Sequence, residues 1–324
     1  MNKCLGCGAL LQNTDSSLEG YVKDLDNKYC ERCFKITHYN DYIFSNKSNL
    51  EYLEKIKYIN KTKDLVVLTI DFLNMIDLDK IKINNPVLIV FTKKDILPRS
   101  VIPSKFISKI KCNLDVKDML FVSSKNNYNL DLLYSLIMKY KISKNVYVVG
   151  LTNAGKSSLI NKMIKNYSDN SSDITISNLP STTLDFLEKE INDDLILIDT
   201  PGLLDDRNII FKIDKDMIKK IVPKKEINPI IFQINRKQSI VVENLFRLDL
   251  DDNNIIMYLS NNLDIQRYYK DNDKLNHLHK YSIKVNDNQD LVIKGLGFIK
   301  FKKGCIFNLY LIDDVKYFVR DSIV

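Results

Sequence analysis

The sequence lacks any apolar run long enough to span a membrane, and its first residues lack the apolar core of a secretory signal peptide. It also has no internal repeat and no long low-complexity segment. These absences argue against a helical membrane protein and a solenoid of stacked repeats. We therefore expect a soluble, cytoplasmic protein.

The composition fits a globular chain with a large core. The chain has 324 residues, of which 45% are hydrophobic and 27% are charged. This length is enough for two or three domains, and this hydrophobic fraction is enough for a large core. The formal charge of +7 comes largely from lysines scattered among Asn and Ile residues. By itself, this charge adds little to the case for a nucleic-acid partner.

A glycine-rich stretch in the middle of the chain has the pattern of a phosphate-binding loop. Residues 150–157 read GLTNAGKS and satisfy GxxxxGK[ST], with the apolar run NVYVV before them and a helix-like segment after them. In such a loop, backbone N–H groups surround the β-phosphate, the Lys reaches the β- and γ-phosphate oxygens, and the Ser holds Mg²⁺. The predicted nucleotide-binding residues here are Gly150, Asn153, Ala154, Gly155, Lys156, Ser157 and Ser158.

Two stretches further along predict the magnesium site and the γ-phosphate sensor. The apolar run Leu195–Asp199 ends in DTPG, where Asp199 can join the Mg²⁺ shell and the Gly202 N–H can meet the γ-phosphate. The segment PSTTLD offers Thr183 as a switch threonine and second Mg²⁺ ligand. The predicted catalytic set is Lys156, Thr183, Asp199, Gly202 and Asn153.

Two earlier stretches predict which base is bound. PVLIVFTKKD is an apolar strand that delivers Thr92, Lys93 and Asp95 as a variant of NKxD. A carboxylate at Asp95 can accept hydrogen bonds from N1–H and the N2 amine of guanine, a pattern that adenine lacks, so GTP is favoured over ATP. LFVSSK, with Ser123 and Ser124, is similar to the SAK loop whose backbone meets the guanine oxygen.

The order of these motifs is unusual. In an ordinary small GTPase the phosphate loop comes first and the base-reading loops come last. Here the base-reading loops at residues 92–125 precede the phosphate loop at residue 150. The sequence therefore predicts a circularly permuted GTPase domain.

The N-terminal segment carries two CxxC pairs, Cys4 with Cys7 and Cys30 with Cys33, separated by 22 residues. Two such pairs suit a tetrahedral Zn²⁺ that holds a small loop-rich module together. A pair of redox dithiols and an iron–sulfur site are the alternatives. His38 is not expected to be a ligand, and Cys112 and Cys305 are interpreted as isolated core or surface thiols.

The remaining pattern predicts three domains. Apolar strands alternate with helical stretches, including amphipathic segments near residues 42–63, 104–111 and 130–140, which indicates a mostly parallel sheet with helices on both faces. After residue 206, short β-type runs separated by Asn, Asp and Gly predict a mostly β region. The predicted division is a zinc module at 1–42, a GTPase domain of the α/β class at 43–206 and a β-rich domain at 207–324.

The C-terminal region also has candidate RNA contacts. Lysines flank the sequence IVP, and residues 267–270 interleave charge with aromatic rings. Such a mixture can grip phosphates and stack single-stranded bases, whereas the alternative is a solvated sheet face with aromatic core residues. The residues concerned are Lys219, Lys220, Lys224, Lys225, Arg267, Tyr268, Tyr269 and Lys270.

These pieces together resemble the YqeH family of ribosome-assembly GTPases over essentially the whole chain. The resemblance rests on CLGCGALLQ…YCERCFKITHYN, TKKD, SSK, GLTNAGKS, PSTT, DTPG, IVPKKEINP and DLVIKGLGFIKF. It implies GTP hydrolysis linked to maturation of the small (30S) ribosomal subunit, with 16S rRNA or the pre-ribosome as partner. It also implies a C-terminal module similar to the RNA-binding TRAP fold. Neither DNA nor a membrane is expected as a partner.

Departures from the family pattern affect affinity and rate. Thr92 stands where Asn is usual. Because its one hydroxyl cannot both touch guanine and brace the phosphate loop, we expect nucleotide binding to be weaker by about 1 kcal/mol. Ser181 replaces a Gly in the switch segment, and Ser124 replaces an Ala. Leu203 stands where Ras-like proteins orient water with Gln, so intrinsic hydrolysis should be slow.

Asn153 matches the position at which cation-dependent GTPases hold K⁺, an ion that neutralises charge between the phosphates. The alternative is that Asn153 only braces the loop. Two other functions also stay open for the whole chain: a GTPase acting on another RNA such as tRNA, and a non-catalytic ribosome-binding scaffold.

Overall fold

The computed structural model describes residues 4, 9–15, 20–31, 49–74, 78, 81–151, 153–168, 176–177, 186–200, 207–269 and 272–324. These residues form two compact units. The first draws on Met1–Asp71, Ile76–Lys94 and Lys111–Leu204, and the second on Phe72–Met75, Asp95–Ile110 and Asp205–Val324. The three-domain division above stays a prediction.

The first unit is built on a seven-stranded sheet with the order β3-β2-β1-β4-β7-β6-β5. Its strands are β1 (Leu65–Asp71), β2 (Val87–Thr92), β3 (Val116–Phe121), β4 (Asn145–Gly150), β5 (Ile176–Ser177), β6 (Leu187–Asn192) and β7 (Leu195–Asp199). The first four strands and β7 run parallel, whereas β6 and β5 are antiparallel additions at one edge.

The central strands are buried on both faces, as their sequences predict. Every residue of LVVLTID in β1 and of VLIVFT in β2 is buried. Such near-continuous apolar runs are typical of parallel strands covered by helices. The predicted parallel core of the sheet is therefore confirmed.

Helices of the first unit cover this sheet. They are α1 (Asn49–Ile59), α3 (Leu130–Tyr140) and α4 (Lys156–Tyr167). The apolar sides of α3 and α4 join alternate residues of the strands in one cluster that includes Leu133, Ile160, Val67 and Val148. On the opposite face of the sheet, the ring of Tyr147 in β4 lies 5.7 Å from that of Phe186. The Phe186 ring in turn lies 5.5 Å from the ring of Tyr58 in α1.

The N-terminal residues that are described form a small cluster of their own. Cys4, Leu11, Val22 and Cys30 are buried together. The segments carrying them are joined by the backbone pair Gln12 and Tyr21.

The second unit contains two five-stranded antiparallel sheets, with the orders β12-β9-β10-β16-β13 and β17-β14-β15-β11-β8. The strands are β8 (Ile230–Ile234), β9 (Gln238–Val242), β10 (Phe246–Leu250), β11 (Asn253–Tyr258), β12 (Ile265–Tyr268), β13 (His279–Val285), β14 (Gln289–Ile293), β15 (Gly297–Phe301), β16 (Cys305–Leu311) and β17 (Tyr317–Asp321). The prediction of a mostly β C-terminal region is confirmed.

Short helices and an aromatic cluster complete the second unit. The α-helices are α2 (Pro103–Ile107) and α5 (Lys215–Ile221), and Phe72–Asn74, Lys94–Ile96 and Ile209–Phe211 are 3₁₀ helices. Phe72 packs between Phe106 and Phe298, with ring centroids 5.6 and 5.5 Å away. Two short segments from the first 110 residues of the sequence are thereby built into the β-rich unit.

The strand order of the second unit repeats itself, although the sequence showed no repeat. Raising each strand number by five, and returning to β8 after β17, converts one sheet order into the other. The registers agree: Gln238 pairs with Leu250 in the first hairpin, and Gln289 pairs with Phe301 in the second. The unit therefore consists of two five-strand sets that exchange strands between the sheets.

Candidate nucleotide-binding site

Four neighbouring parallel strands of the first unit end in polar residues or glycine. In sheet order these residues are Thr92 of β2, Asp71 of β1, Gly150 of β4 and Asp199 of β7. Ligands of open α/β sheets bind outside the carboxyl ends of the strands, so this edge is where a nucleotide is expected. The order brings Thr92 of the predicted base-reading motif to the same edge as Gly150 and Asp199 of the predicted phosphate and magnesium motifs.

The phosphate loop connects β4 to the first turn of α4. Gly155 lies just before Lys156 with φ +83°, and Asn153 has φ +64°; both conformations are left-handed. The Ala154 N–H donates to the Leu151 carbonyl at 3.2 Å. This tight turn leaves the start of α4 at the sheet edge, where its N–H groups can meet an anion.

Gly150 has a packing reason besides phosphate binding. It pairs in register with Thr69 of β1. A Cβ on Gly150 would lie 2.4 Å from both the carbonyl oxygen and the Oγ1 of Thr69. Only glycine allows β1 and β4 to approach this closely at the point where the loop begins.

Thr92 holds the phosphate loop from the neighbouring strand. Its buried hydroxyl donates to the Ala154 carbonyl at 2.7 Å, and the Ile70 carbonyl lies 3.3 Å from the same oxygen. A hydroxyl has one proton to donate. Because that proton is directed to backbone carbonyls, Thr92 braces the loop and cannot also donate to a base.

Lys156 is buried and folds over its own loop. Its Nζ donates to the carbonyls of Gly150 at 3.1 Å and Leu151 at 2.9 Å. Burial lowers the pKa of Lys156 to about 8, although the nearby Asp199 carboxylate acts in the opposite direction. A bound phosphate would supply the strong counter-charge that this ammonium group lacks.

Ser157 and Asp199 form the arrangement expected of a magnesium site. Ser157 Oγ donates to Asp199 Oδ2 at 3.2 Å. Burial raises the pKa of Asp199, while Lys156, Ser157 and Lys189 oppose that shift. Asp199 Oδ1 is buried and has no hydrogen-bond partner among the described residues. A hydroxyl beside a carboxylate with one unused oxygen fits Mg²⁺, which prefers oxygen ligands.

The loop after β3 is closed by its own hydrogen bonds. Ser123 is buried, pairs with Tyr128 through the backbone and donates from its hydroxyl to Asn126. Asn129 Nδ2 donates to the Phe121 carbonyl at 3.0 Å. The predicted SAK-like loop is thus a compact turn, with Ser124 half-buried within it.

Asp71 is a residue of this edge to which no sequence motif points. This residue ends β1, and its Oδ2 lies 2.8 Å from Lys93 Nζ. The sequence offers one signal, since the apolar run LVVLTI ends in Asp and the next apolar run carries TKKD. Only the strand order of the folded chain shows that this Asp lies beside the TKKD motif.

The remaining predicted residues are placed less completely. Asp95 lies in the helix Lys94–Ile96 and is grouped with the second unit. Asn153 and Ser158 are exposed, and within the described part of the chain the Asn153 side chain makes no hydrogen bond. The residues Thr183, Gly202, Ser181, Leu203, His38 and Lys270 lie outside the described residues.

Half of the predicted zinc site is described. Cys4 and Cys30 are buried, and the Cys30 N–H points at Cys4 Sγ from 3.1 Å. Cys7 and Cys33 lie outside the described residues. In the described part of the chain, no three Cys, His, Asp or Glu side chains are grouped so that they could hold a metal ion.

Comparison with known proteins identifies the family. YqeH of Bacillus subtilis (strain 168) is 30% identical over a 364-residue alignment that covers 99% of each chain. The chain belongs to the YqeH family. The family described as 50S ribosome-binding GTPase also matches residues 145–267. This YqeH-family protein is therefore a GTPase that uses GTP, GDP and Mg²⁺.

Other relatives share only part of the chain. NO-associated protein 1 of Arabidopsis thaliana is 27% identical over 195 residues, covering 50% of this chain and 35% of that protein. The tRNA modification GTPase MnmE of Alkaliphilus oremlandii is 29% identical over 123 residues, covering 37% and 25%. None of the helices described in this YqeH-family chain is long and apolar enough to cross a membrane.

Proposed function

We propose that this protein is a cytoplasmic GTP-dependent assembly factor for the small ribosomal subunit. In this proposal it binds 16S rRNA or the 30S precursor in a manner set by its nucleotide state. The observation that carries the proposal is the similarity to YqeH along 99% of both chains, which includes the regions outside the GTPase motifs.

The GTPase domain is proposed to be circularly permuted. In support, β4 carries the phosphate loop and lies inside the sheet, while β1, β2 and β3, which precede it in the sequence, lie on one side of it. The GTPase family match begins at residue 145, the first residue of β4, and runs on into residues grouped with the second unit. A permutation that moves three strands ahead of the phosphate loop explains why the match starts there.

Each residue has a distinct part in the proposed hydrolysis. Lys156 neutralises the β- and γ-phosphate oxygens, while Ser157 and Asp199 hold Mg²⁺ together with Thr183. The ion, when bound, screens the charge on the phosphates. The Gly202 N–H is proposed to donate a hydrogen bond to the γ-phosphate. Because Leu203 cannot orient water, the intrinsic rate is slow.

K⁺ is proposed to stimulate hydrolysis through Asn153. The exposed amide with a left-handed backbone is available to a cation, since within the described residues it braces nothing. Initial rates in KCl should exceed those in NaCl, and Asn153→Ala should remove the difference. Equal rates in the two salts, together with an unaffected Asn153→Ala variant, would refute the role.

Zinc is proposed to bind Cys4, Cys7, Cys30 and Cys33. The burial of Cys4 with Cys30, 26 positions apart, supports this set because two distant CxxC pairs must meet to form such a site. Metal analysis should find one zinc per chain, and Cys4→Ser should lose it. Iron with visible absorbance, or no metal in freshly purified protein, would favour one of the alternatives.

RNA contact is proposed for the second unit. Lys224 and Lys225 are exposed, and Tyr269 is 56% exposed. Arg267 is engaged internally, with Nε 2.6 Å from Gln238 Oε1 and its guanidinium 4.9 Å from the Tyr269 ring. The proposed RNA-facing charge is assigned to the two lysines because both are exposed, and Lys224→Glu/Lys225→Glu should weaken RNA binding.

Co-sedimentation tests the proposed function. The protein is centrifuged with purified 30S or 50S subunits, with GDP or a non-hydrolysable GTP analogue, in potassium buffer. Sedimentation with 30S in the GTP-like state is expected. Because the matched family is named for 50S binding, preferential sedimentation with 50S would move the role to the large subunit.

Partial similarity to MnmE keeps a tRNA-directed GTPase as the second candidate. It predicts that tRNA, rather than 30S precursors, is recovered with the protein purified from cells. The scaffold alternative predicts that Lys156→Ala leaves the cellular function intact. Loss of function in that variant would exclude the scaffold.

A further inference from the structure

An ion pair at the ends of β1 and β2 joins the first lysine of the TKKD motif, Lys93, to Asp71, a residue outside the GTPase motifs. Asp71 and Thr92 are the last residues of these strands and pair in register. The Asp71 carboxylate, with 8% of its side chain exposed, lies 2.8 Å from the ammonium of Lys93, whose side chain is 32% exposed. A nearly buried carboxylate requires such a partner, whereas a surface pair of the same length contributes little.

The backbone at Lys93 shows what the pair stabilises. Lys93 has φ +58°, in the left-handed region that a long side chain disfavours. This conformation turns the chain sharply out of β2. Strain of this kind persists only where the surroundings fix it.

The turn is held at three successive residues. Thr92 is bound to the phosphate loop through the Ala154 carbonyl, and Lys93 is bound to Asp71. The Lys94 N–H donates to the Val122 carbonyl at 3.0 Å, which ties the turn to the strand end beside the SSK loop. The next residue is Asp95, the proposed guanine-reading carboxylate.

We propose that Asp71 is a positioning residue for guanine recognition. Its carboxylate holds Lys93 in the left-handed turn and so fixes the direction in which the chain leaves β2 just before Asp95. The inference rests on the proposed base-reading role of Asp95. It assigns Asp71 to affinity and base selectivity, and gives it no part in the hydrolytic step.

The test compares affinities for GDP and IDP, because inosine lacks the 2-amino group that the Asp95 carboxylate would accept from. Calorimetry on the full-length protein should show that Asp71→Asn weakens GDP binding about tenfold, as expected for losing a charged hydrogen bond. IDP binding should weaken less, so the GDP/IDP ratio shrinks. The kcat at saturating GTP should stay within about twofold of wild type.

Two further variants define the pair. Lys93→Met should reproduce the effect, and the double variant should be no worse than either single variant, because the two side chains act as one unit. Asp115→Asn is the matched control: Asp115 also lies 2.8 Å from a lysine, Lys117, but that pair is exposed and borders the start of β3. It should change neither affinity nor selectivity.

The outcomes separate cleanly. If Asp71→Asn keeps the wild-type ratio of GDP to IDP affinity, the inference is overturned. If the melting temperature of that variant also falls, Asp71 only stabilises the fold. Wild-type protein that binds GDP and IDP equally would instead overturn the base-reading role of Asp95.

Discussion

At the residue scale, Thr92 takes over only one of the two roles of the Asn that is usual at its position. The usual Asn at this position both touches the base and braces the phosphate loop, whereas the Thr92 hydroxyl is directed to Ala154 and Ile70 carbonyls. The sequence predicted that Thr could not do both. The structure adds which role is kept, namely the brace.

Thr92→Val tests that brace, since it keeps the shape and removes the donor. The Ala154 carbonyl would lose its partner, and GDP affinity should fall by a factor of about 5, corresponding to about 1 kcal/mol. Thr92→Ser keeps the hydroxyl and should bind GDP as wild type does. Equal affinities for the Val and Ser variants in a fluorescent-nucleotide titration would contradict the assignment.

The buried Lys156 predicts a pH dependence of nucleotide binding. Its pKa of about 8 in the free protein means that the ammonium loses its proton as the pH rises above that value. Bound phosphates favour the charged form, so binding takes up a proton there, and GDP affinity should fall about tenfold between pH 7 and 9. Lys156→Arg, which stays charged, should bind GDP more weakly but with a flat pH profile. A wild-type affinity that is constant across this range would contradict the prediction.

The same buried lysine affects folding in the opposite direction. Its folded pKa lies below that of an unfolded lysine, so between these values the unfolded chain binds more protons. The Lys156 contribution to stability therefore rises with pH across that window, while nucleotide affinity falls.

At the scale of secondary structure, β1 and β4 can lie side by side because of one glycine. A Cβ on Gly150 would collide with Thr69, a contact that involves backbone as well as side chain. Gly150→Ala should lower the free energy of unfolding by about 1–3 kcal/mol through overpacking. Ser158→Ala, an exposed change nearby, should stay within about 0.5 kcal/mol of wild type in urea unfolding. Equal stabilities for the two variants would refute the packing role.

A second glycine fixes the segment that follows the DTPG region. Gly295, in the turn between β14 and β15, has φ +85°, and a Cβ there would lie 1.8 Å from Asn208 Oδ1. Asn208 is buried and accepts from the Ile210 N–H at the start of the helix Ile209–Phe211. The turn between β14 and β15 thus packs tightly against Asn208, near the start of the C-terminal part of the second unit.

Gly295→Ala should lower the free energy of unfolding by about 2 kcal/mol or more, because it adds left-handed strain to a steric clash. Gly304→Ala, where a Cβ would lie 3.2 Å from the Val285 carbonyl, should cost less. Removing the Asn208 side chain should relieve part of the clash, so Gly295→Ala should cost less in an Asn208→Ala background. Additive effects of the two changes would contradict this tight packing.

Several elements were predictable and others were not, for identifiable reasons. β1, β2 and β4 were predicted from continuous apolar runs, and α3 was predicted with its bounds at 130 and 140. β6 was missed because LEKEIN is polar at most positions, although Lys189 within it is buried. The predicted helix near 104–111 ends at Ile107 as α2, and LVIKGLGFIKF breaks at Gly295 into two strands.

At the scale of the whole molecule, the duplicated strand order explains what the sequence could not reveal. Pairing across a hairpin constrains which residues face the core, but it leaves residue identity free within the apolar class. The turns show this: Glu243 to Leu245 and Lys294 to Leu296 occupy matching places, yet only the final leucine is shared. The registers of the two hairpins match, whereas most of their residues differ.

The candidate site was predictable where motifs prescribe chemistry, and not where packing does. Lys156, Ser157, Asp199 and Thr92 were named from spacing alone and lie at the ends of neighbouring strands or beside them. Asp71, which pairs with Lys93, and Thr69, which packs against Gly150, both belong to β1, a strand that carries no phosphate or base motif. Their roles follow only from the strand order that places β1 between the two sets of motifs.

The chain passes from the first unit to the second after β1, after β2 and after β7. Each crossing follows a strand that ends at the candidate nucleotide site. If nucleotide binding changes these strand ends, the RNA contact proposed for the second unit would change with it. Linkage requires the effect to be reciprocal.

The most direct measurement is the affinity of a non-hydrolysable GTP analogue with and without saturating 30S subunits. Tighter binding in the presence of 30S, with GDP affinity unchanged or weakened, is the result that the account predicts. Identical affinities for the analogue in the two conditions would show that nucleotide state and ribosome binding are uncoupled. That result would contradict the proposal of a GTP-dependent assembly factor.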